Sequence, residues 1–431
     1  MPRETASDRY AWYMVGVLIV AYTFSYIDRT ILTLMVGPIR ASLNISDVQL
    51  SLLHGFAFAI FYTFVGIPIG RLVDRRRRTA IIAVGIGLWS IATAMCGFAT
   101  TFAAMFVARI MVGVGESALS PAAYSMLADT FEGKALVRAL ACYQSAIYLG
   151  PAIATLFGGV LLGQLAPLDT GVGRFEPWQL VFLIVGLPGL LVALVFAGLR
   201  EPARRGAGAT GAMPSFPDVL AHMRRHLGAY GLLILGLCLQ SVMWNGATAW
   251  IPTHLMRGYG WTTSDVAWSY GPVIAICGTA GGLTGGWLAG RLRDAGRSDS
   301  NVLIGMIAAA GALPFAVAAP LMPTGALSLT LIGGCLFMGA MPYGGAAAAF
   351  QEITPNRMRG QVSAVYLFWL NLAGIGLGST VVALATEHLY GGGAGVSSAL
   401  ATVTGVGALL SVLVLAAARE PYRRAMAGRD V

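Results

Sequence analysis

Two short sequence markers recur at nearly the same spacing and divide this chain into two copies of one unit. Gly70–Asp74 reads GRLVD and Gly290–Asp294 reads GRLRD, at an offset of 220 in a chain of 431 residues. Arg200–Pro202 returns as Arg419–Pro421 at an offset of 219. Recurrence at a fixed period indicates a structural unit that is repeated along the chain. The fold is therefore constrained to two similar halves.

The composition indicates that both halves lie in a lipid bilayer. Hydrophobic residues make up 57% of the chain and charged residues 11%, whereas an average soluble domain has about 25% charged residues. Because a helix needs about 20 apolar residues to cross a bilayer, we predict an all-α integral membrane protein with twelve transmembrane helices in two six-helix bundles. The predicted helices lie near residues 12–38, 50–70, 79–99, 102–127, 139–163, 179–199, 229–256, 266–289, 301–320, 327–350, 361–385 and 397–418.

The predicted domain organisation follows from these helices. Residues 1–199 form an N-terminal six-helix bundle, 200–228 a polar cytoplasmic linker, and 229–431 a C-terminal bundle with a short cytoplasmic tail. A duplicated bundle is a common build of secondary transporters. A rival from another functional class is a membrane sensor that binds a ligand without turnover and signals through the linker. The short linker offers little surface for such signalling.

The formal charge of +9 reflects membrane topology, and we predict no nucleic-acid partner. With both termini cytoplasmic, every Lys and Arg falls on the cytoplasmic side except Arg29, Arg40, Arg109, Arg174 and Arg257. This positive-inside bias predicts a multi-pass protein with that orientation. A single lysine among the 28 basic residues hints at a GC-rich bacterial genome, so we predict a location in a bacterial inner membrane. We also predict a monomer whose partner is the lipid bilayer.

One loop carries a resemblance to a known family. Gly70–Arg78, between predicted helices 2 and 3, reads GRLVDRRRR and resembles the signature loop of the major facilitator superfamily. Its glycine lets two helices approach closely, and the aspartate and the arginine four positions later are the fixed charges of the motif. With twelve predicted helices and the second copy at 290–294, the resemblance covers the whole chain.

A narrower resemblance is to the spinster-type branch of that superfamily. It rests on Tyr26–Arg29, Ser46–Gln49, Arg109–Glu116 and Ala128-Asp129. The resemblance implies an amphiphilic or organic-anion substrate, such as the lysolipids that eukaryotic members export. Gly150-Pro151 with Gly158-Gly159 resembles an antiporter motif of drug exporters, so a multidrug exporter is the alternative within transport.

Four charged residues lie well inside predicted helices: Asp28, Arg29, Arg109 and Glu116. Each costs about 2.5–3.5 kcal/mol at mid-membrane, so their presence indicates a function. Arg109 and Glu116 are separated by two helical turns and share one face of helix 4. At about 1.5 Å per residue, Asp28, Glu116 and Arg109 lie roughly 24, 18 and 28 Å from the cytoplasmic end. We therefore expect Arg109 to bridge the two carboxylates.

We interpret these charges as a proton switch. A buried acid that takes up a proton releases its arginine for another partner. Asp28 is the predicted proton carrier, Glu116 the second candidate, and Arg109 the partner of an anionic substrate. Arg29 points about 100° away from Asp28 on its helix and faces the substrate or the extracellular side. The alternative is a permanent ion cluster that holds helices 1 and 4 together.

The resemblance to the superfamily also implies a latch at the cytoplasmic membrane edge. Its predicted members are Gly70, Asp74, Arg75, Arg78, Asp129 and Asp294. In this latch Asp74 meets the start of helix 11 near Gly360, Arg78 pairs with Asp129, and Asp294 is a weaker counterpart in the second half. The latch closes the cytoplasmic side while the carrier faces outward.

Polar and amphipathic side chains within the apolar runs are candidates for the wall of a substrate cavity. Besides Arg29 and Arg109 they are Tyr143, Gln144, Trp244, Asn245, Tyr343, Tyr366, Trp369 and Asn371. Each is also compatible with packing between helices or with a position at the membrane interface. For His54, near the outer end of helix 2, we predict a packing role, although an imidazole titrates near neutral pH.

The sequence favours a transporter over an enzyme. The five cysteines lie far apart in predicted helices, and the sequence contains neither a metal-type cluster nor a recognisable nucleophile and base. We predict no cofactor and no metal. The prediction is secondary active transport by alternating access, coupled to protons, of a small amphiphilic or organic-anion substrate.

Overall fold

The computed structural model describes the backbone of residues 6–171, 173–204 and 215–427. Side chains are described for the same residues apart from 6–8, Asp74 and Gly344. Residues 205–214 of the predicted linker and the side chain of the predicted latch residue Asp74 therefore lie outside the described part.

Twelve helical segments of the described chain are long and apolar enough to cross a membrane, which confirms the predicted all-α membrane fold. We number them as spans 1 to 12 in chain order: Arg9–Leu34, Asp47–Val73, Arg78–Cys96, Phe102–Thr130, Gly133–Gln164, Pro177–Gly198, Leu227–Tyr259, Thr263–Asp294, Ser300–Leu321, Gly325–Ile353, Asn356–Leu389 and Gly393–Ala427.

Several spans consist of more than one helical element. The α-helices before residue 204 are α1 Ala6–Ile31, α2 Val36–Leu43, α3 Asp47–Ser51, α4 Ala57–Arg75, α5 Arg78–Cys96, α6 Phe102–Glu116, α7 Leu119–Thr130, α8 Gly133–Gln144, α9 Ala146–Gln164 and α10 Pro177–Gly198. Those after residue 215 are α11 Phe216–Arg225, α12 Leu227–Tyr259, α13 Thr263–Asp294, α14 Ser300–Ala318, α15 Gly325–Ala340, α16 Tyr343–Ile353, α17 Arg359–Asn371, α18 Gly378–Leu384 and α19 Val396–Ala427.

Shorter elements connect these helices. The 3₁₀ turns are Leu32–Leu34, Ala319–Leu321, Asn356–Met358 and Gly393–Gly395, and the π-helical turns are Leu52–Phe56, Leu372–Leu377 and Ala385–Leu389. A hairpin of two antiparallel strands, β1 Leu168–Thr170 and β2 Gly173–Phe175, links spans 5 and 6, with Leu168 opposite Phe175.

The first spanning helix ends earlier than predicted. The sequence predicts a helix over 12–38, whereas span 1 ends in the 3₁₀ turn at Leu34 and the separate helix α2 follows. Helix α2 ends at Asn44, whose φ of 51° lies in the left-handed region that asparagine tolerates. The apolar run continues through this break, so hydropathy gives no sign of it.

A capping box begins span 2. The hydroxyl of Ser46 accepts a hydrogen bond from the backbone N–H of Gln49 at 3.2 Å, and the Gln49 side chain accepts one from the N–H of Ser46 at 3.0 Å. Asp47 is buried and pairs with Arg40 of α2 at 3.1 Å. The Ser46–Gln49 motif therefore starts span 2 and ties α2 to it.

The chain divides into two compact units, which follow the two halves of the repeat except that one segment of the second half, Trp261–Gly271, belongs to the first unit. The first unit is Met1–Ala209 with Trp261–Gly271, and the second is Thr210–Gly260 with Pro272–Val431. The opening turns of span 8 belong to the first unit because span 5 packs tightly on them. A Cβ at Gly159 would lie 2.6 Å from the carbonyl oxygen of Thr263.

An aromatic cluster forms the core of the second unit near the ends of spans 7, 10, 11 and 12. Phe350 stacks on Tyr366 with ring centroids 4.3 Å apart. The hydroxyl of Tyr230 donates to the carbonyl oxygen of Ile353 at 3.0 Å. Tyr422, from the last helix, is fully buried in the same cluster. These contacts hold the ends of spans 7, 10, 11 and 12 together.

Candidate functional site

Close helix approaches position the candidate site in the first unit. A Cβ at Gly113 of span 4 would lie 2.5 Å from the carbonyl oxygen of Phe58 in span 2. A Cβ at Gly115 would lie 2.7 Å from the carbonyl oxygen of Gly85 in span 3. Only a residue without a side chain permits backbones to come this close. The two glycines of the Arg109–Glu116 motif thus hold span 4 against spans 2 and 3.

Glu116 of span 4 pairs with Arg29 of span 1. Nη2 of Arg29 lies 2.5 Å from Oε2 of Glu116, and Nε donates to the same oxygen at 2.7 Å. The hydroxyl of Ser25, one turn before Arg29, donates to Oε2 at 2.5 Å. Glu116 is 1% exposed, while the Arg29 side chain keeps 15% of its surface exposed. The hydrogen bonds compensate the burial of both charges.

Three aromatic rings surround the guanidinium of Arg29. Its Cζ lies 4.5 Å from the ring centroid of Phe58, 4.9 Å from that of Tyr62 and 5.2 Å from that of Tyr26. Aromatic faces attract a cation at these distances, most strongly where water is excluded. The arginine is therefore held by one carboxylate and by the faces of three rings, and 15% of its side-chain surface stays exposed.

Asp28, the neighbour of Arg29, has a different environment. It is 3% exposed, and its Oδ2 accepts a hydrogen bond of 2.8 Å from the hydroxyl of Thr93 in span 3. Oδ1 is buried and has no hydrogen-bond partner among the described residues. No described arginine or lysine nitrogen lies within 4.0 Å of this carboxylate. Asp28 is thus a buried acid without an ion pair.

Arg109 does not bridge the two carboxylates, so that expectation is wrong. Its Nε donates to the carbonyl oxygen of Leu53 at 3.3 Å, and Nη1 donates to the backbone oxygen of Asp28 at 3.4 Å. The residue is 0% exposed, and Nη2 has no partner within the described part. Leu53 lies in the π-helical turn of span 2, a type of turn that is frequent at functional sites. Because of the rotation of span 4 relative to span 1, Glu116 forms its ion pair with Arg29 instead.

His54 lies in the same π-helical turn. Its side chain is partly exposed, while Nδ1 is buried and finds no hydrogen-bond partner among the described residues. The predicted packing role therefore leaves one ring nitrogen unsatisfied.

A second charged cluster lies at the start of span 3. Arg78 is fully buried and forms ion pairs with Asp129 and, at 2.7 Å, with Glu201. Glu201 also accepts hydrogen bonds from the backbone N–H groups of Arg78 and Thr79, at 3.1 and 3.0 Å. Burial tends to raise the pKa of Glu201, but the hydrogen bonds from Arg78 and Thr79 outweigh it and hold the pKa below its usual value. Glu201 was not among the predicted site residues.

The other predicted latch residues stand apart from this cluster. Gly70 is partly exposed within α4, and Arg75 and Asp294 are exposed at the ends of α4 and α13. The contact of Asp74 with the start of span 11 stays a prediction, because that side chain is not described.

The second unit contains a counterpart of the Arg78 cluster with the charges exchanged. Asp299, at the start of span 9, pairs with Arg419 at 2.8 Å and with Arg423 at 3.0 Å. Burial tends to raise the pKa of Asp299, but the hydrogen bonds from the two arginines hold it below its usual value. The repeated Arg-Glu-Pro motif thus contributes Glu201 in the first unit and Arg419 in the second.

Three of the predicted wall residues are largely interior. Tyr143 is fully buried and stacks on Tyr22 at 4.5 Å between centroids, and Tyr366 lies in the aromatic core. Oε1 of Gln144 is buried without a hydrogen-bond partner among the described residues. The rings of both tyrosines are covered by neighbouring helices, and their role in a cavity wall stays a prediction.

The remaining predicted wall residues belong to the second unit. The rings of Trp244 and Tyr343 meet at 5.9 Å, and Nδ2 of Asn245 donates to the backbone oxygen of Ser241 at 2.8 Å. Trp369 is half exposed, and Asn371 is partly exposed. Trp244 and Tyr343 therefore lie together.

Sequence reasoning missed several members of the site. Ser25 stands one helical turn from Arg29, and this spacing is a usable signal. Phe58 and Tyr62 share a face of span 2 by the same rule. Thr93 lacks any such signal, since its partner Asp28 lies on another helix. In the part of the chain that the structure describes, no group of three or more His, Cys, Asp or Glu side chains could hold a metal ion.

Comparisons with known proteins agree on one family. The profile of the Major Facilitator Superfamily matches residues 18–378. An MFS-type efflux pump of Mycolicibacterium smegmatis is 27% identical over 389 residues, which cover 88% of this chain and 86% of the relative. A probable L-galactonate transporter of Escherichia coli is 24% identical over 354 residues, which cover 78% of this chain and 74% of the relative.

A solved structure agrees with these relatives. It is that of a bacterial homolog to the human lysosomal transporter Spinster, in an inward-facing and unoccupied conformation. The two chains superpose with a TM-score of 0.78 at 27% identity, and the match covers 97% of each.

Proposed function

The chain belongs to the Major Facilitator Superfamily, in its spinster-like branch, and on that premise we propose that it is a proton-coupled transporter of organic-anion or amphiphilic substrates. It works by alternating access, as an inward-facing relative suggests. Its location is a bacterial inner membrane with both termini in the cytoplasm, which the distribution of basic residues supports.

The observation that carries this proposal is the unequal environment of two buried carboxylates. Glu116 is held in an ion pair by Arg29, while Asp28 has a hydrogen bond from Thr93 and no cation partner among the described residues. An acid without a cation in a dry environment takes up a proton more readily than an acid in an ion pair. When two acids have different environments, that difference is a common basis for deciding which of them exchanges a proton. We therefore assign Asp28 as the proton carrier, the same residue that the sequence analysis chose.

Arg29 is the better anion partner of the two intramembrane arginines. Its side chain is 15% exposed, whereas Arg109 is fully buried and donates to backbone carbonyl oxygens. A carboxylate or phosphate on the substrate would compete with Glu116 for the guanidinium. A buried Glu116 that loses its partner is costly, so it becomes the second site for a proton.

Two features support the class of substrate. The relative from Escherichia coli is described as a probable L-galactonate transporter, which agrees with a small organic acid. The rings of Tyr26, Phe58 and Tyr62 around Arg29 offer apolar surface beside the charge, which agrees with an amphiphile such as a lysolipid.

A multidrug exporter is the second candidate. The aromatic rings that surround Arg29 would also attract a lipophilic cation. The relative from Mycolicibacterium smegmatis is described as an efflux pump. In this case the cation would take the place of Arg29 between the rings, and a substrate anion would have no role.

Transport in proteoliposomes tests both candidates. Purified protein is reconstituted, a pH gradient is imposed, and uptake of L-galactonate, a lysophospholipid and a lipophilic cationic dye is measured together with proton flux. We expect accumulation of an anionic or amphiphilic compound with accompanying proton movement. Transport of the dye alone would favour the exporter, and binding of a compound without any transport would favour a sensor.

Asp28→Asn tests the assignment of the proton carrier. The variant removes the charge and keeps the size, so exchange of substrate across the membrane should survive while accumulation driven by the pH gradient is lost. Asp169→Asn, at an exposed position of the β1–β2 hairpin, is the matched control and should behave as wild type. If the Asp28→Asn protein still accumulates substrate with protons, Asp28 is only a structural residue.

A further inference from the structure

We propose that Thr93 is a positioning residue that orients the Asp28 carboxylate and sets the pH at which it takes up a proton. This inference rests on the proposed role of Asp28 as the proton carrier. Thr93 is fully buried in span 3, and its hydroxyl donates to Oδ2 of Asp28 in span 1 at 2.8 Å. It is the one described side chain whose hydrogen bond to that carboxylate is present in the structure.

The direction of the Thr93 hydroxyl differs from that of several other helical threonines in the described chain. A threonine inside a helix commonly donates to the carbonyl oxygen four residues earlier. Several buried or half-buried threonines of this chain do so: Thr130, Thr155, Thr386 and Thr404. Thr93 instead donates to a side chain on another helix. The Thr93 hydroxyl therefore donates its hydrogen bond to Asp28 and not to the backbone of its own helix.

The geometry has two consequences for Asp28. Because Thr93 occupies Oδ2, the unpartnered Oδ1 is the oxygen left to receive a proton. A hydrogen bond from a hydroxyl stabilises the carboxylate more than the neutral acid. The charged groups within electrostatic range of Asp28 are Glu116, Arg109 and Arg29, and the titratable groups His54 and Cys96 lie beside the same cluster. None of these donates a hydrogen bond to the Asp28 side chain.

Infrared spectroscopy tests the proposal without a known substrate. The C=O stretching band of the protonated Asp28 carboxyl is identified in the purified wild-type protein by its absence in Asp28→Asn, and its intensity is followed as a function of pH. Thr93→Val replaces the hydroxyl by a methyl of similar size. Losing a hydrogen bond to a charged group shifts a titration by about one to two pH units. We therefore expect the pH midpoint of the Asp28 band to be higher in Thr93→Val by about that amount.

Two further variants separate a positioning role from a structural one. Thr93→Ser keeps the hydroxyl and should restore the wild-type midpoint. Thr155→Val is the matched control, since Thr155 is equally buried but donates within its own helix, and it should leave the midpoint unchanged. Where Thr93→Val fails to fold, Thr93→Ala gives the same comparison with Thr93→Ser.

The possible outcomes distinguish this inference from the proposed function. An unchanged midpoint in Thr93→Val, or an equal shift in Thr93→Ser, overturns the role of Thr93 while Asp28 remains the carrier. A wild-type protein with no titrating band from Asp28 overturns both. A shifted band in a protein that shows no proton flux with substrate supports Thr93 and refutes proton-coupled transport.

Discussion

Glu116 is paired with Arg29 of span 1 and not with Arg109, which stands two helical turns earlier on its own helix. The pair ties span 4 to span 1 and leaves Asp28, next to Arg29 in the chain, without a cation partner in the part of the chain that the structure describes. Two consecutive residues of one helix therefore meet opposite environments, and this contrast determines how each responds to a proton or to an anion.

The ion pair should be revealed by a double-mutant cycle. Arg29→Ala leaves Glu116 as a buried unpaired carboxylate, a change that costs about 3–5 kcal/mol. Adding Glu116→Gln removes that charge, so the double variant should be more stable than Arg29→Ala alone. Thermal unfolding of the purified proteins measures the order of their stabilities. Arg174→Ala, which breaks the exposed pair with Glu176, should change little. A double variant less stable than both single variants would contradict the pairing.

Two glycines of span 8 should differ sharply in their tolerance of a methyl group. A Cβ at Gly281 would lie 2.0 Å from the carbonyl oxygen of Phe337 in span 10, whereas one at Gly286 meets no atom within 4 Å. Gly281→Ala should cost about 1–3 kcal/mol or more through overpacking. Gly286→Ala, on the same helix, is the control and should be neutral or slightly stabilising. Equal thermal stability of the two variants would argue against the close contact between spans 8 and 10.

Stability at low pH should depend on Glu201. Because the pKa of Glu201 is held below its usual value, its carboxylate contributes full stability above about pH 4.3, the unfolded value, and loses it as the pH falls through the lower folded value. Glu201→Gln should lower the thermal midpoint at pH 7, and the difference from wild type should shrink below about pH 4.

Glu420→Gln is the control for this prediction, since Glu420 is the repeat counterpart of Glu201 but forms only an exposed pair with Arg424. It should have little effect at any pH. A Glu201→Gln difference that is independent of pH would show that the side chain acts through packing alone.

Asp74→Ala tests the latch that the sequence implied. We expect strongly reduced transport with normal expression and membrane insertion, because the residue biases conformations rather than building a core. A bias of about 1.4 kcal/mol changes a population tenfold. Arg77→Ala, at an exposed neighbouring position, should retain wild-type transport. Unchanged transport by correctly inserted Asp74→Ala protein would remove Asp74 from the latch.

The number and type of the transmembrane elements followed from the sequence. In a chain with 57% hydrophobic and 11% charged residues, apolar runs of about 20 residues satisfy their backbone hydrogen bonds in lipid as helices of membrane length. The repeated loops at Gly70–Asp74 and Gly290–Asp294 identified the duplication and the family. The intramembrane charges identified the candidate site of the first unit, because a charge in lipid is too costly to persist without a partner or a function.

Only the tertiary structure decided which of these residues are partners. The period of a helix tells which side chains share its face, but it carries no information on how one helix is rotated against the next. That rotation depends on backbone contacts such as those at Gly113 and Gly115, which bring Glu116 to Arg29 and leave Arg109 on the carbonyl oxygen of Leu53. The contact between Thr93 and Asp28 arises in the same way. Packing between helices, and not the spacing of residues along one helix, determines which side chains of different helices are in contact.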